Sequence, residues 1–159
     1  MPHIHQDYDF VVSVFIVHQN HVLLIYHKNY KRWLPIGGHI ELEEDPEEAL
    51  FREIKEESGL EVEILSGKPD IAHPGVKPIL RPAYVDVHEI NEQHKHIAFV
   101  YFAIARDSKV TLHEREHLEF RWLSQEDLSL LQYGLSRSIY FYCIEALKTA
   151  ADLIRIEES

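Results

Sequence analysis

Two dense apolar runs open the chain. Residues 10–17 (FVVSVFIV) and 22–26 (VLLIY) are rich in β-branched and aromatic side chains, and the polar HQNH lies between them. That pattern predicts a β-hairpin. Strand-like segments recur at residues 60–65 (LEVEIL), 83–90 (AYVDVHEI), 96–105 (HIAFVYFAIA) and 119–123 (EFRWL). Ser124 is placed to cap a short helix in SQEDLSLL. Over residues 135–154 the apolar positions Ile139, Tyr142, Cys143, Ala146, Leu147, Ala150 and Leu153 take up helical spacing, which predicts a long amphipathic helix packed on a sheet. Residues 28–38 (KNYKRWLPIGG) read as a basic loop ending in flexible glycines. Residues 69–82, with four prolines, read as an irregular loop rather than a domain boundary. No repeat or linker divides the chain. The order predicts an α/β fold, one domain over residues 1–159 with helices stacked on both faces of a mixed β-sheet.

Composition narrows the partners. The formal net charge of −11 argues against a nucleic-acid polymer as partner, because such binders track phosphates with Lys and Arg. Small phosphorylated ligands stay open, since a bound cation inverts the local field. Cys143 is the only cysteine, so no internal disulfide forms, and a cytoplasmic setting is expected. The start MPHIHQDYDF lacks the pattern of a signal peptide, and no apolar run is long enough to span a membrane. An exposed edge at residues 10–17 would suit a homodimer.

The unusual stretch is GGHIELEEDPEEALFREIKEESGL, residues 37–60. Its helix signals are complete. Asp45 can cap, Pro46 suits the first position, Glu48 completes a capping box, and Gly59 suits the left-handed stop. Leu50 and Ile54, one turn apart, should face the core. Glu53, Glu56 and Glu57 then share one arc, where like charges repel. Three hard oxygen donors on a rigid arc are what Mg²⁺ or Mn²⁺ takes. The bland alternative is a solvated acidic face relieved by Arg52 and Lys55.

The same residues resemble the Nudix box: a glycine, five residues, a glutamate, seven residues, then Arg-Glu-apolar-x-Glu-Glu-x-Gly-apolar. Gly38, Glu44, Arg52, Glu53, Ile54, Glu56, Glu57, Gly59 and Leu60 fill every specified position. Ile36 stands where relatives often carry proline, which removes no ligand.

The resemblance implies a Nudix-type α/β/α sandwich with a mixed β-sheet. It implies a hydrolase that cleaves a diphosphate linkage in nucleoside diphosphate-linked substrates, nucleoside triphosphates among them. It also implies one to three Mg²⁺ or Mn²⁺ ions on Glu53, Glu56, Glu57 and the Gly38 carbonyl. Glu53 and Glu57 would serve the chemical step, with Glu53 the first candidate base. In other members the base sits on a distant loop, where Glu114, Glu116 and Glu119 are available and Glu116 is preferred. Glu44, Arg52 and Gly59 look structural, the first two as a salt bridge tying loop to helix. Lys28, Lys31 and Arg32, just before the box, could meet substrate phosphates. The rival from another class is a Nudix-fold module that binds a nucleotide without cleaving it. The pairs His94/His96 and His3/His5 have metal-like spacing, but twelve histidines make such pairs common, so surface positions are expected. Trp33 is expected to pack its loop.

Overall fold

The computed structural model describes residues 6–112 and 117–159. Its elements run β1 (Tyr8–His18), β2 (His21–His27), β3 (Arg32–Leu34), β4 (Ile36–His39), α1 (Pro46–Ser58), β5 (Val62–Ile64), β6 (Tyr84–Asn91), β7 (His94–Ala105), β8 (His117–Leu123), a 3-10 turn (Asp127–Ser129) and α2 (Arg137–Glu158). The sheet has the order β3-β2-β1-β7-β5, with β8 also on β2, β4 on β1 and β6 on β7. Among the described strands, only β1 and β7 run parallel. Gln19 and Asn20 both adopt positive φ in the β1–β2 turn, the geometry that matches a two-residue connection to strand twist.

β1 explains the layering. Its side chains alternate between two buried faces. Val12, Val14 and Ile16 join Ile36, Ala49, Leu50 and Ile54 beneath α1. Val11, Phe15 and Val17 join Cys143, Ala146 and Ala150 beneath α2. Each helix therefore covers one face, and the α/β/α sandwich with a mixed sheet is the observed fold. The small residues on α2 let it approach closely, and Ser136 caps it by accepting from the Ile139 amide. Among the described residues, no helix is long and apolar enough to cross a membrane.

Three local expectations need correction. The segment expected to be a loop carries β3 and β4. Trp33 sits against Tyr26 and Tyr133 at ring distances of 5.4 and 5.5 Å, and Ile36 is buried under α1. Open edges on β2 and β1 order a stretch that has no strand period of its own. The short helix after Ser124 is a single 3-10 turn. Ser124 donates its amide and hydroxyl to Asp127 and accepts the Asp127 amide, so side chains satisfy the groups a longer helix would have paired. Residues 10–17 form no edge, because β1 lies between β7 and the β2 and β4 strands.

Candidate active site

The site is built on α1. Asp45 accepts the Glu47 and Glu48 amides at 2.9 Å each, and Glu48 accepts the Asp45 amide at 3.0 Å. Pro46 occupies the first turn, and Gly59 ends the helix at φ 65, where any other residue would be strained. Leu50 and Ile54 are buried on the inner face, each contributing roughly 1.5–3 kcal/mol. With both ends and one face fixed, the arc of Glu53, Glu56 and Glu57 has a set position.

Arg52 engages all five of its N–H groups. Nε and Nη2 donate to the two Glu44 oxygens at 2.5 and 3.0 Å. Nη1 donates to Glu53 at 2.8 Å and Glu56 at 3.2 Å, and Nη2 also donates to the His39 carbonyl at 2.9 Å. Glu44 raises the Arg52 pKa most, and Arg52 in turn lowers that of Glu44. One guanidinium thus ties the loop, the arc and the end of β4 together.

β4 crosses the arc at its two glycines. The Gly37 amide donates to Glu57 Oε1 at 3.0 Å. A Cβ on Gly38 would lie 2.3 Å from Glu53 Oε1, and one on Gly37 only 2.2 Å from the Val12 carbonyl oxygen. Neither glycine has a positive φ, so close approach rather than flexibility is what both positions require. Glu57 is buried, the Glu53 side chain is 12% exposed and that of Glu56 is 56% exposed, so the arc runs from interior to solvent. Burial pushes the Glu53 pKa up to about 7, and the charge of Glu57 adds to this against the pull of Arg52. Two crowded carboxylates under a bare backbone, with a third at the mouth, form a cradle for positive charge.

A model of the NUDIX domain matches residues 7–143. The chain belongs to the Nudix family. A NUDIX-family hydrolase from Clostridium perfringens is 36% identical, with a TM-score of 0.76 over 88% of this chain and 96% of that one. A MutT NUDIX hydrolase from Burkholderia pseudomallei shares the fold at 23% identity, with a TM-score of 0.64 over 87% of this chain and 97% of that one. A C. elegans Ap4A hydrolase shares it at 17% identity, with a TM-score of 0.65 over 92% and 98%. No curated protein matches the chain. The protein is a Nudix-family hydrolase.

The other residues singled out in this Nudix hydrolase are dispersed. Lys28 and Lys31 lie exposed on the β2–β3 turn and Arg32 begins β3. Among the described residues, neither Lys31 nor Arg32 pairs with the glutamates of the Nudix arc. Glu119 lies on β8 and pairs with Arg121 at 2.8 Å. Glu114 and Glu116 lie outside the described residues, as do His3 and His5.

Sequence reasoning missed Gly37 as a partner of Glu57, and it expected His94 and His96 on the surface. His96 is buried instead, beside the rings of His39, His88 and His94. Burial, with the neighbouring imidazoles, lowers its pKa to about 4. The i, i+2 spacing in HKH signals a shared strand face. Nothing in the sequence signals that Asp9 lies beside them, 2.9 Å from His94 Nε2.

Proposed function

We propose that this Nudix hydrolase cleaves the diphosphate linkage of a small nucleoside diphosphate derivative, nucleoside triphosphates included. Mg²⁺ or Mn²⁺ would be held by Glu53, Glu56, Glu57 and the Gly38 carbonyl. The observation that carries the reading is the close pair Glu53 and Glu57 beneath Gly37 and Gly38. A cation beside Glu53 and Glu57 would favour the ionised carboxylate that burial and the charge of Glu57 disfavour. The donor set fits, because hard carboxylate and carbonyl oxygens suit these ions. When bound, such cations neutralise phosphate oxygens, lower the pKa of a bound water and stabilise the departing phosphate.

The protein's own groups divide the remaining work. A carboxylate beside the bound water can accept its proton, and Glu53 is the leading candidate for that role, with Glu116 as the loop alternative. Arg52 positions Glu53 and Glu56 while Glu44 positions Arg52. Lys28, Lys31 and Arg32 supply positive charge for a polyphosphate tail on an otherwise acidic chain. That acidity favours free nucleotides over nucleic-acid polymers.

The test compares Mg²⁺-dependent turnover of nucleoside triphosphates, ADP-ribose, diadenosine polyphosphates and para-nitrophenyl phosphate. Cleavage is expected in the diphosphate-containing compounds and not in the monoester. Glu53→Gln and Glu57→Gln should each lower turnover about 10²–10⁴-fold with native circular dichroism. Nucleotide binding without turnover of any compound would point instead to a module that binds but does not cleave.

A further inference from the structure

A second group of ligating side chains lies on the face of the sheet opposite α1. Asp9 shares a strand face with Val11 and Phe15, and His94 and His96 share one with Ala98, Val100 and Phe102, all toward the α2 side. Asp9 pairs in register with His96, and His96 with His88 on β6. His39 stands opposite Val11. Four paired strands therefore bring one carboxylate and four imidazoles together on a rigid surface.

We propose that Asp9, His94 and His96, with His39 beside them, bind a divalent transition-metal ion of the Zn²⁺ class, at a site separate from the glutamate arc. The ligand atoms of Asp9, His94 and His96 lie within 4.8 Å of one another. Asp9 Oδ2 is 2.9 Å from His94 Nε2 and 3.2 Å from His39 Nε2. A tetrahedral site with bonds of about 2.0–2.1 Å has edges of about 3.3 Å, so small side-chain adjustments suffice. The chemistry also discriminates between metals. Imidazoles with one carboxylate suit Zn²⁺, Ni²⁺, Co²⁺ or Cu²⁺, whereas Mg²⁺ prefers oxygen donors alone.

Hydrogen bonding alone accounts for only part of the cluster. Asp9 can accept from His39 and His94, but the buried His96 imidazole has no hydrogen bond among the described residues. It stands nearly perpendicular to three rings whose centroids are 5.1–5.3 Å away. His88 is already oriented, its Nδ1 2.8 Å from Asp86, and Asp86 in turn accepts from the Tyr142 hydroxyl. This holds the His88 ring in place against His96. An ion here would pin β4 to β1 and β7 on the face behind the arc. β4 carries Gly37 and Gly38, and the His39 carbonyl accepts from Arg52. The site would therefore act as a staple behind the strand that covers the glutamates.

The test titrates metal-stripped protein with Zn²⁺ by calorimetry in millimolar Mg²⁺, and with Co²⁺ by visible absorption. One ion per chain is expected, and the Glu53→Gln/Glu57→Gln variant should retain it. Asp9→Asn and His94→Gln replace partly exposed side chains, so native circular dichroism is expected. Each should weaken Zn²⁺ at least about tenfold and abolish the Co²⁺ bands. The His3→Ala/His5→Ala variant should bind as the parent does. The proposal is overturned by absence of Zn²⁺ binding, by loss of binding in the glutamine double variant, by unchanged binding in Asp9→Asn and His94→Gln, or by loss on replacing His3 and His5.

Discussion

A Cβ placed on Gly38 would lie 2.3 Å from Oε1 of Glu53, so the bare backbone at this position is a condition for where that carboxylate sits. The neighbouring glycine meets a different obstacle, because a Cβ on Gly37 would strike the Val12 carbonyl oxygen at 2.2 Å. A carboxylate can swing away, whereas a paired strand cannot. Gly38→Ala is therefore expected to keep most of its stability and lose turnover by about 10²-fold. Gly37→Ala should lose about 1–3 kcal/mol or more in urea unfolding. Full turnover in Gly38→Ala would show that the position of Glu53 does not matter.

The raised Glu53 pKa has a stability signature in metal-free protein. Folding lifts this group from about 4.3 toward about 7, so between those values the native state holds a proton that the unfolded state has released. Its contribution to stability is full below pH 4.3 and is lost as pH rises through 7. His96 acts in the opposite direction. Its folded value of about 4 lies below the ordinary 6.5, so its contribution is lost as pH falls through that interval. Comparing the parent with Glu53→Gln isolates the carboxylate. In EDTA the variant should gain on the parent as pH rises from 5 to 8, by an amount on the order of 2 kcal/mol. A difference that stays flat with pH would mean that Glu53 titrates normally.

Cations should relieve the same crowding. Millimolar Mg²⁺ is expected to raise the melting temperature of the parent at pH 7.5, because a ligand that binds only the native state stabilises it. The Glu53→Gln/Glu57→Gln variant should lose most of that response. An equal rise in both proteins would place the Mg²⁺ elsewhere.

Arg52→Lys tests the hub. A lysine keeps the charge but cannot span both Glu44 oxygens, the two arc glutamates and the His39 carbonyl at once. The Arg52 side chain is 27% exposed, so solvent screening limits the loss to about 1–2 kcal/mol. The Mg²⁺ midpoint for activity should rise at the same time. A variant as stable and as active as the parent would reduce the hub to a surface ion pair.

Cys143 reports on α2. It is fully buried against the sheet, and burial pushes its thiol up to about 12. Native protein should therefore resist thiol-disulfide reagents for as long as α2 stays docked, and react at the rate of unfolding. Rapid labelling of native protein would mean that α2 opens locally.

The cap of Asp45, the stop at Gly59 and the inward face of Leu50 and Ile54 were legible in the sequence, because a helix is governed by neighbours three and four residues apart. The arc of three glutamates follows from the same local geometry, and so does the hairpin at Gln19 and Asn20. Strands β3 and β4 were not legible. Only the open edges of β2 and β1 order those residues, and pairing partners distant in sequence leave no period in the strand itself. The same holds for the two glycines, whose apparent freedom is a demand for space set by Val12 and Glu53. It holds again for Asp9 and His96, which share a site because β1 and β7 run parallel in one register. Local spacing determined the helix that carries the box. Long-range strand pairing decided what lies over it and what gathers behind it, since register is a property of two segments and neither encodes it alone.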